Sequence, residues 1–322
     1  MTVQYSLAAA TATGMTFLRL LLLWRGSVWK HVLFELLLWS LGCISLAMIY
    51  LTFIKEGSPD HGDYCKMLAH LQELPFKSTL SLLLGFTAQI TMKRWMDVYW
   101  LLVWPENAAL MFNAWFRDDV LTPQKARIVR HSVYRYLLLV YILVLRDVSI
   151  PVKNQFPTYN HLIEGNLLTE EELDLMEHAN IDPNYCRYWI PMLWVAQVIK
   201  KQYRSQMAKG RTAMDHVLYG KLVSELARVR GTLGDILSYD WIPIPLAHTQ
   251  TITFAVYCYL LVDGVLQHYP LCVYDNEWSV MGWVARFAFS LLLNTFYLGW
   301  LKCSLVMVNP FGLDDDDYEE SI

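Results

Sequence analysis

Three stretches of this chain are long and apolar enough to cross a bilayer, and they limit its fold more than any other feature. A spanning helix needs about 20 mostly apolar residues. Residues 31–54 (HVLFELLLWSLGCISLAMIYLTFI) meet that need with one ionisable interruption, Glu35. Residues 243–265 are a second run, holding His248 and Asp263 near its ends, and 279–301 are a third, with Arg286 inside it. A fourth candidate, 74–92 (LPFKSTLSLLLGFTAQITM), carries Lys77, Ser78, Thr79, Ser81, Thr87, Gln89 and Thr91. A lipid-facing helix would not tolerate so many polar groups, whereas one lining water or packed inside a bundle would. Two further apolar runs, 136–145 and 188–199, are too short to span and read as buried helices of a non-membrane body.

Composition supports a membrane protein. Hydrophobic residues make up 55% of the 322 and charged residues only 17%, against roughly 25% in soluble chains. The charge is unevenly placed: residues 93–240 hold 18 of the 26 lysines and arginines, 267–278 hold none, and 55–73 hold Lys55 and Lys66. The positive-inside rule then puts 93–240 and both termini in the cytosol of a multi-pass protein of the cell membrane. Residues 18–24 are too short for a signal-peptide core, so the N-terminus is expected to be retained. Cys65 and Cys272 fall in the two short loops; a disulfide between them is conceivable, but unlinked thiols are the expected state.

Helical signals fill the region between the second and third runs. Thr169 followed by Glu170, Glu171 and Glu172 reads as an N-cap with first-turn acids. Val217, Leu218, Leu222, Leu226, Val229 and Leu233 recur at helical spacing. The fold class is therefore an all-α membrane protein with four transmembrane helices and a large helical cytosolic region. The divisions are 1–30, 31–54, 74–99, 100–240, 241–266, 279–302 and an acidic tail, 303–322.

Two places carry candidate chemistry. On a helix, Ser78, Leu82 and Phe86 stand at i, i+4 and i+8, with Gln89 and Lys93 continuing that side. Such a stripe could line a narrow pore with a cationic approach at Lys93 and Arg94, or it could be a face where helices pack closely. In the tail, NPFGLDDDDYEE (309–320) crowds four aspartates together. Asp314 and Asp317 could reach one calcium ion from the same side of a turn, although a solvated acidic tail is the commoner meaning of such a run. No Walker A, GxSxG, HExxH or GxGxxG motif is present, so an enzyme is not expected. No nucleic-acid partner is expected either.

These stretches, taken in order, resemble the bestrophins, the calcium-activated chloride channels of animal cells. The resemblance runs through FLRLLLLWRGSVWK (17–30), KRWMDVYW (93–100), FPTYNHLIEGNLLTEEE (156–172), YDWIPIPLAHTQ (239–250) and NPFGLDDDDYE (309–319). It implies a homopentamer around one central pore that conducts chloride and other small anions. It also implies a Ca2+ clasp using side chains of Asp314 and Asp317 and backbone carbonyls of Ala10, Val306 and Asn309. The neck positions fall on Ser78, Leu82 and Phe86, and the cytosolic aperture on Val217. This chain departs from the pattern at the neck, where a bulky side chain is usual at all three places; Ser78 and Leu82 differ and only Phe86 fits. Thr79 stands where a proline is usual. A wider or wetter neck is the expectation. The alternatives are a non-conducting calcium-binding scaffold, or a secondary transporter, for which internal repeats would be needed and none is seen.

Overall fold

The computed structural model describes residues 5–11, 13–54, 61–74, 76–116, 121–179, 185–208, 210, 213–273, 277–315 and 317–318. A few side chains, that of Ser78 among them, lie outside the description. Regular structure among the described residues is helical. In chain order the helices are α1 (Ser6–Ala10), α2 (Gly14–Leu21), α3 (Val28–Ile49), α4 (His61–Glu73), α5 (Phe76–Leu101), α6 (Pro105–Trp115), α7 (Pro123–Val148), α8 (Ile150–Gln155) and α9 (Tyr159–Glu164). They continue with α10 (Glu170–Glu177), α11 (Trp189–Met207), α12 (Ala213–Trp241), α13 (Leu246–Leu266), α14 (Tyr269–Val273) and α15 (Glu277–Val306). A π-helical turn, Tyr50–Ile54, extends α3.

The chain divides into two compact units. The first comprises Met1–Trp95, Ile244–Pro310 and Asp314–Asp317; the second comprises Met96–Pro243, Phe311–Leu313 and Tyr318–Ile322. Among the described residues, four helical segments are long and apolar enough to cross a membrane: Val28–Phe53, Pro123–Val148, Leu246–Cys272 and Val280–Val306. Three of them coincide with the expected spans. The fourth is α7, not α5: the run 136–145, expected to be too short to span, lies within a 26-residue helix. Its flanking turns are polar and basic, which hid the length of the helix from a search for continuous apolar residues.

In the first unit one core joins four helices. Val32 and Leu36 of α3, Leu80 and Leu84 of α5, Ile252 and Val256 of α13, and Leu298 and Leu301 of α15 are buried together. Close approach of α15 to α3 depends on Gly299, where an added Cβ would stand 2.5 Å from Val28 Cγ2. Glu35 and Asp263, two acidic groups of this unit, find partners on neighbouring helices, as a low-dielectric surrounding favours. Glu35 of α3 pairs with Lys302 of α15 at 2.5 Å. Buried Asp263 accepts bonds from Ser290 Oγ and Asn294 Nδ2, each at 3.3 Å.

The structure corrects the expectation for the cysteines. Cys65 on α4 and Cys272 on α14 form a disulfide, with Cα atoms 5.8 Å apart, within the usual range for such a bond. The pair is 207 residues apart in sequence, so only the folded arrangement of the loop helices brings the two together.

The second unit packs α7 against α6, α11 and α12. Leu139, Ile142, Leu145, Phe112, Ile199 and Leu222 are fully buried. The predicted N-cap holds: Thr169 Oγ1 accepts the Glu172 amide at 3.3 Å, and the Glu172 carboxylate accepts the Thr169 amide at 3.0 Å, a capping box. Glu172 is also clamped by Arg135, with Nη1 and Nη2 at 2.6 and 2.5 Å, and by Tyr136 Oη at 2.7 Å. Burial alone would push its carboxyl up, but the bonds from Arg135, Tyr136 and the Thr169 amide outweigh it and hold the group below the usual carboxylate range.

Candidate functional site

Helix α5 has two faces, and their difference defines the first candidate. Leu80, Leu84, Thr87 and Thr91 are buried, spaced so that they fall on one side of a helix. Leu82, Phe86, Gln89 and Lys93 are exposed in the single chain, at i, i+4, i+7 and i+11. The stripe expected from sequence is thus a continuous outward face from Leu82 to Lys93. Ser78 lies one turn further on the same helix, with its side chain outside the described ones.

The polarity of α5 divides between these faces. Thr87 Oγ1 donates to the Leu83 carbonyl at 2.9 Å and Thr91 Oγ1 to the Thr87 carbonyl at 3.1 Å, so both hydroxyls are satisfied by their own helix. Ser81 Oγ is 3.1 Å from Tyr297 Oη on α15. Much of what makes the sequence of α5 look unsuited to a membrane is therefore packing chemistry. The exposed stripe itself is Leu82, Phe86, the amide of Gln89 and the ammonium of Lys93, while Arg94, beside it, is half-buried. Large apolar groups left exposed at regular spacing need a partner surface or lipid.

The second candidate is the turn after α15. Helix α15 ends at Val306, and Asn309 N–H donates to the Val306 carbonyl at 3.4 Å. Asp317 is 6% exposed, and its Oδ2 accepts the Asp314 amide at 2.7 Å while its own amide donates to the Asp314 carbonyl at 3.2 Å. The reciprocal bonds close a tight turn that brings the Asp314 and Asp317 backbones together. Its donors are carboxylate and carbonyl oxygens, the hard ligands that calcium takes. The tail residues present therefore fit a calcium site in donor type.

Sequence reasoning missed Asp315. Its Oδ2 accepts from Lys30 Nζ at 2.7 Å and from the Gly26 amide at 3.2 Å, and Arg25 Nε lies 3.7 Å from Oδ1. The Lys30 bond and then the Gly26 amide hold this carboxyl below its usual range. Gly26 has φ +63°, a conformation glycine adopts without strain, which lets its amide face the tail. The tail is thus tied to the N-terminal segment at WRGSVWK, whereas Ala10 lies exposed at the end of α1. A run of basic residues facing a run of acids was the available signal. Val217, the remaining expected position, is 53% exposed near the start of α12; one residue before it, His216 Nδ1 is 2.9 Å from Tyr203 Oη of α11.

Comparison with known proteins gives one answer. Residues 1–322 match the family model described as "Bestrophin, RFP-TM, chloride channel". Bestrophin homolog 22 of Caenorhabditis elegans is 32% identical over 321 residues, 99% of this chain and 61% of that protein. Bestrophin-2a of Homo sapiens is 33% identical over 326 residues, 99% of this chain and 60% of that one. Human Bestrophin-1 is 31% identical, over 99% and 52%. The chain therefore spans between about half and three fifths of the length of these relatives. Among solved structures, a variant of a bacterial Bestrophin homolog from Klebsiella pneumoniae aligns with a TM-score of 0.59 at 16% identity, covering 91% of this chain and 93% of that one. A second variant gives 0.58 at 16%, over 90% and 92%. That structural likeness concerns the fold alone; the sequence relationship concerns descent. The chain belongs to the bestrophin family.

Proposed function

We propose that this chain is a subunit of a calcium-activated anion channel in which several copies, five by family resemblance, place their α5 helices around a central path. The observation that carries this reading is the two-faced character of α5. One face is fixed in the core shared with α3, α13 and α15, and the other presents Leu82, Phe86, Gln89 and Lys93 outward. One helix encloses nothing by itself, but a ring of them does. In this reading α5 is the fourth membrane-crossing helix and α7 the central helix of a cytosolic body, with Val217 at its aperture and both termini on the cytosolic side.

Chloride can leave part of its hydration shell to pass an apolar constriction formed by Leu82 and Phe86. Lys93, with Arg94 beside it, raises the local anion concentration at the cytosolic end of the stripe. Asp314 and Asp317, with the carbonyls of Ala10, Val306 and Asn309, would hold calcium, whose charge offsets the crowded tail. Asp315 with Arg25, Gly26 and Lys30 keeps that tail against the start of α3, so a change in the tail is felt where α3 and α15 pack. Activation requires that the ion bind the conducting arrangement more tightly than the closed one.

The test is purified protein in liposomes, with chloride flux measured with and without calcium. Calcium-stimulated flux is expected. Calcium binding without any flux would favour the scaffold reading and overturn this one. Asp314→Ala is expected to move calcium activation to higher concentration with selectivity unchanged; altered selectivity with an unaltered calcium response would remove Asp314 from the site.

A further inference from the structure

Three groups suited to soft cations meet in the first unit, far in sequence from the acidic tail. His61 and Cys65 stand one turn apart on α4, with His61 Nε2 and Cys65 Sγ separated by 3.8 Å. Cys272 reaches them from α14. The three ligand atoms all lie within 4.8 Å of one another. Tyr50, at the end of the first span, is 1% exposed. Its Oη stands 3.0 Å from His61 Nε2 and 3.5 Å from Cys272 Sγ. A disulfide needs neither an imidazole nor a phenol beside it.

The separation of His61 and Cys65 is close to that of a known coordination geometry. Zinc takes sulfur at about 2.3 Å and imidazole nitrogen at about 2.0–2.1 Å in a tetrahedron, so neighbouring N and S ligands stand about 3.6 Å apart. His61 and Cys65 are already close to that separation. Two thiolates on one zinc lie about 3.8 Å apart, so the sulfurs, once unbonded, need to part by less than about 2 Å. Rotation about the Cys side-chain bonds supplies a movement of that size while the helices stay in place.

We propose that the Cys65–Cys272 pair has a second state: as a dithiol it forms, with His61, a site for one thiophilic divalent cation such as Zn2+. The hydroxyl of Tyr50 stands beside the remaining position, where it donates to a thiolate or approaches the ion. The two states exclude each other because they use the same sulfurs. A dithiol reductant breaks the S–S bond, leaves two protein thiols and becomes a disulfide itself. The cation then displaces both thiol protons to solvent and gains two metal–sulfur bonds and one metal–nitrogen bond. Either state joins α4 to α14. The site stands on this cluster alone and does not depend on anion conduction.

The experiment is Co2+ titration of the purified full chain, first as isolated and then after reduction with a dithiol and desalting without oxygen. The oxidised protein is expected to show no thiolate-to-cobalt charge-transfer absorption. The reduced protein is expected to show it at one cobalt per chain and to lose it to stoichiometric zinc. Cys272→Ser is expected to abolish the band. His61→Ala, which leaves both sulfurs and the oxidised disulfide in place, is expected to weaken binding at least tenfold and carries the test if the serine variant does not fold. No band in the reduced wild type would overturn the proposal. So would undiminished binding in His61→Ala, because Cys43, Cys186, Cys258 and Cys303 would then be supplying the ligands.

Discussion

Helix α3 of the first unit and helix α7 of the second are each long and apolar enough to cross a bilayer, with mean hydropathies of 2.1 and 1.5 in their most apolar windows. They spend that apolarity in opposite directions. Helix α3 leaves Phe34 70% and Leu41 61% exposed, as a helix facing lipid does. Helix α7 buries Leu139, Ile142 and Leu145 completely, as a helix surrounded by protein does. Length and hydropathy state only that a helix must avoid water. Whether lipid or protein replaces the water is decided by neighbours, which a hydropathy window does not contain. Helix α5 is the reverse case, too polar to be picked out by hydropathy yet packed in one core with three apolar spans.

The largest effect is expected at the ion pair that ties α7 to α10. Glu172→Gln leaves Arg135 largely buried without its counter-charge, and removing one partner of such a pair costs about 3–5 kcal/mol. A large fall in thermal stability is expected. Because the carboxyl is held below its usual range, the stabilisation is complete above the ordinary carboxylate range and is lost as pH falls through the lowered value. A stability curve flat across acid pH, or unchanged in the variant, would break the picture of an inward-built body.

A matched pair of truncations sharpens the contrast. Ile142→Ala removes a fully buried side chain and is expected to cost about 2–5 kcal/mol. Phe34→Ala removes an exposed one and is expected to change stability by about 0.5 kcal/mol or less in detergent. Equal losses would mean that α3 is covered by protein, not lipid. At the neck, Ser78→Ile combined with Leu82→Phe is expected to reduce calcium-independent leak in single-channel records; unchanged leak would contradict a wide neck. The smallest effect is expected from Asp315→Asn, which frees the tail from Lys30 and Gly26. It should speed proteolysis of the tail at neutral pH. The wild type should match that rate only in acid, below the ordinary carboxylate range.

Much of this was legible in the residues. The three apolar spans, the Thr169 cap and the buried series Leu222, Leu226, Val229 and Leu233 follow from local spacing, and the structure has them. The stripe Leu82, Phe86, Gln89, Lys93 was legible for the same reason, since helical periodicity puts those residues on one side whatever surrounds them. What was not legible depended on distant contacts. The Cys65–Cys272 bond joins two loops 207 residues apart. Asp315 differs from its neighbouring aspartates only because Lys30 and Gly26 happen to face it. The polarity of α5 left open whether the helix lines water or packs inside a bundle; spacing does not show that Thr87 and Thr91 return their hydroxyls to their own helix.

The central claim is that the exposed stripe of α5 lines the anion path, and Gln89 tests it most directly. The measurement is the chloride-over-cation permeability ratio of the reconstituted protein, compared with that of Gln89→Glu. A several-fold fall in anion preference is expected in the variant, with calcium activation retained, because a carboxylate is placed in the path. A variant that assembles, conducts and keeps the wild-type permeability ratio would contradict it.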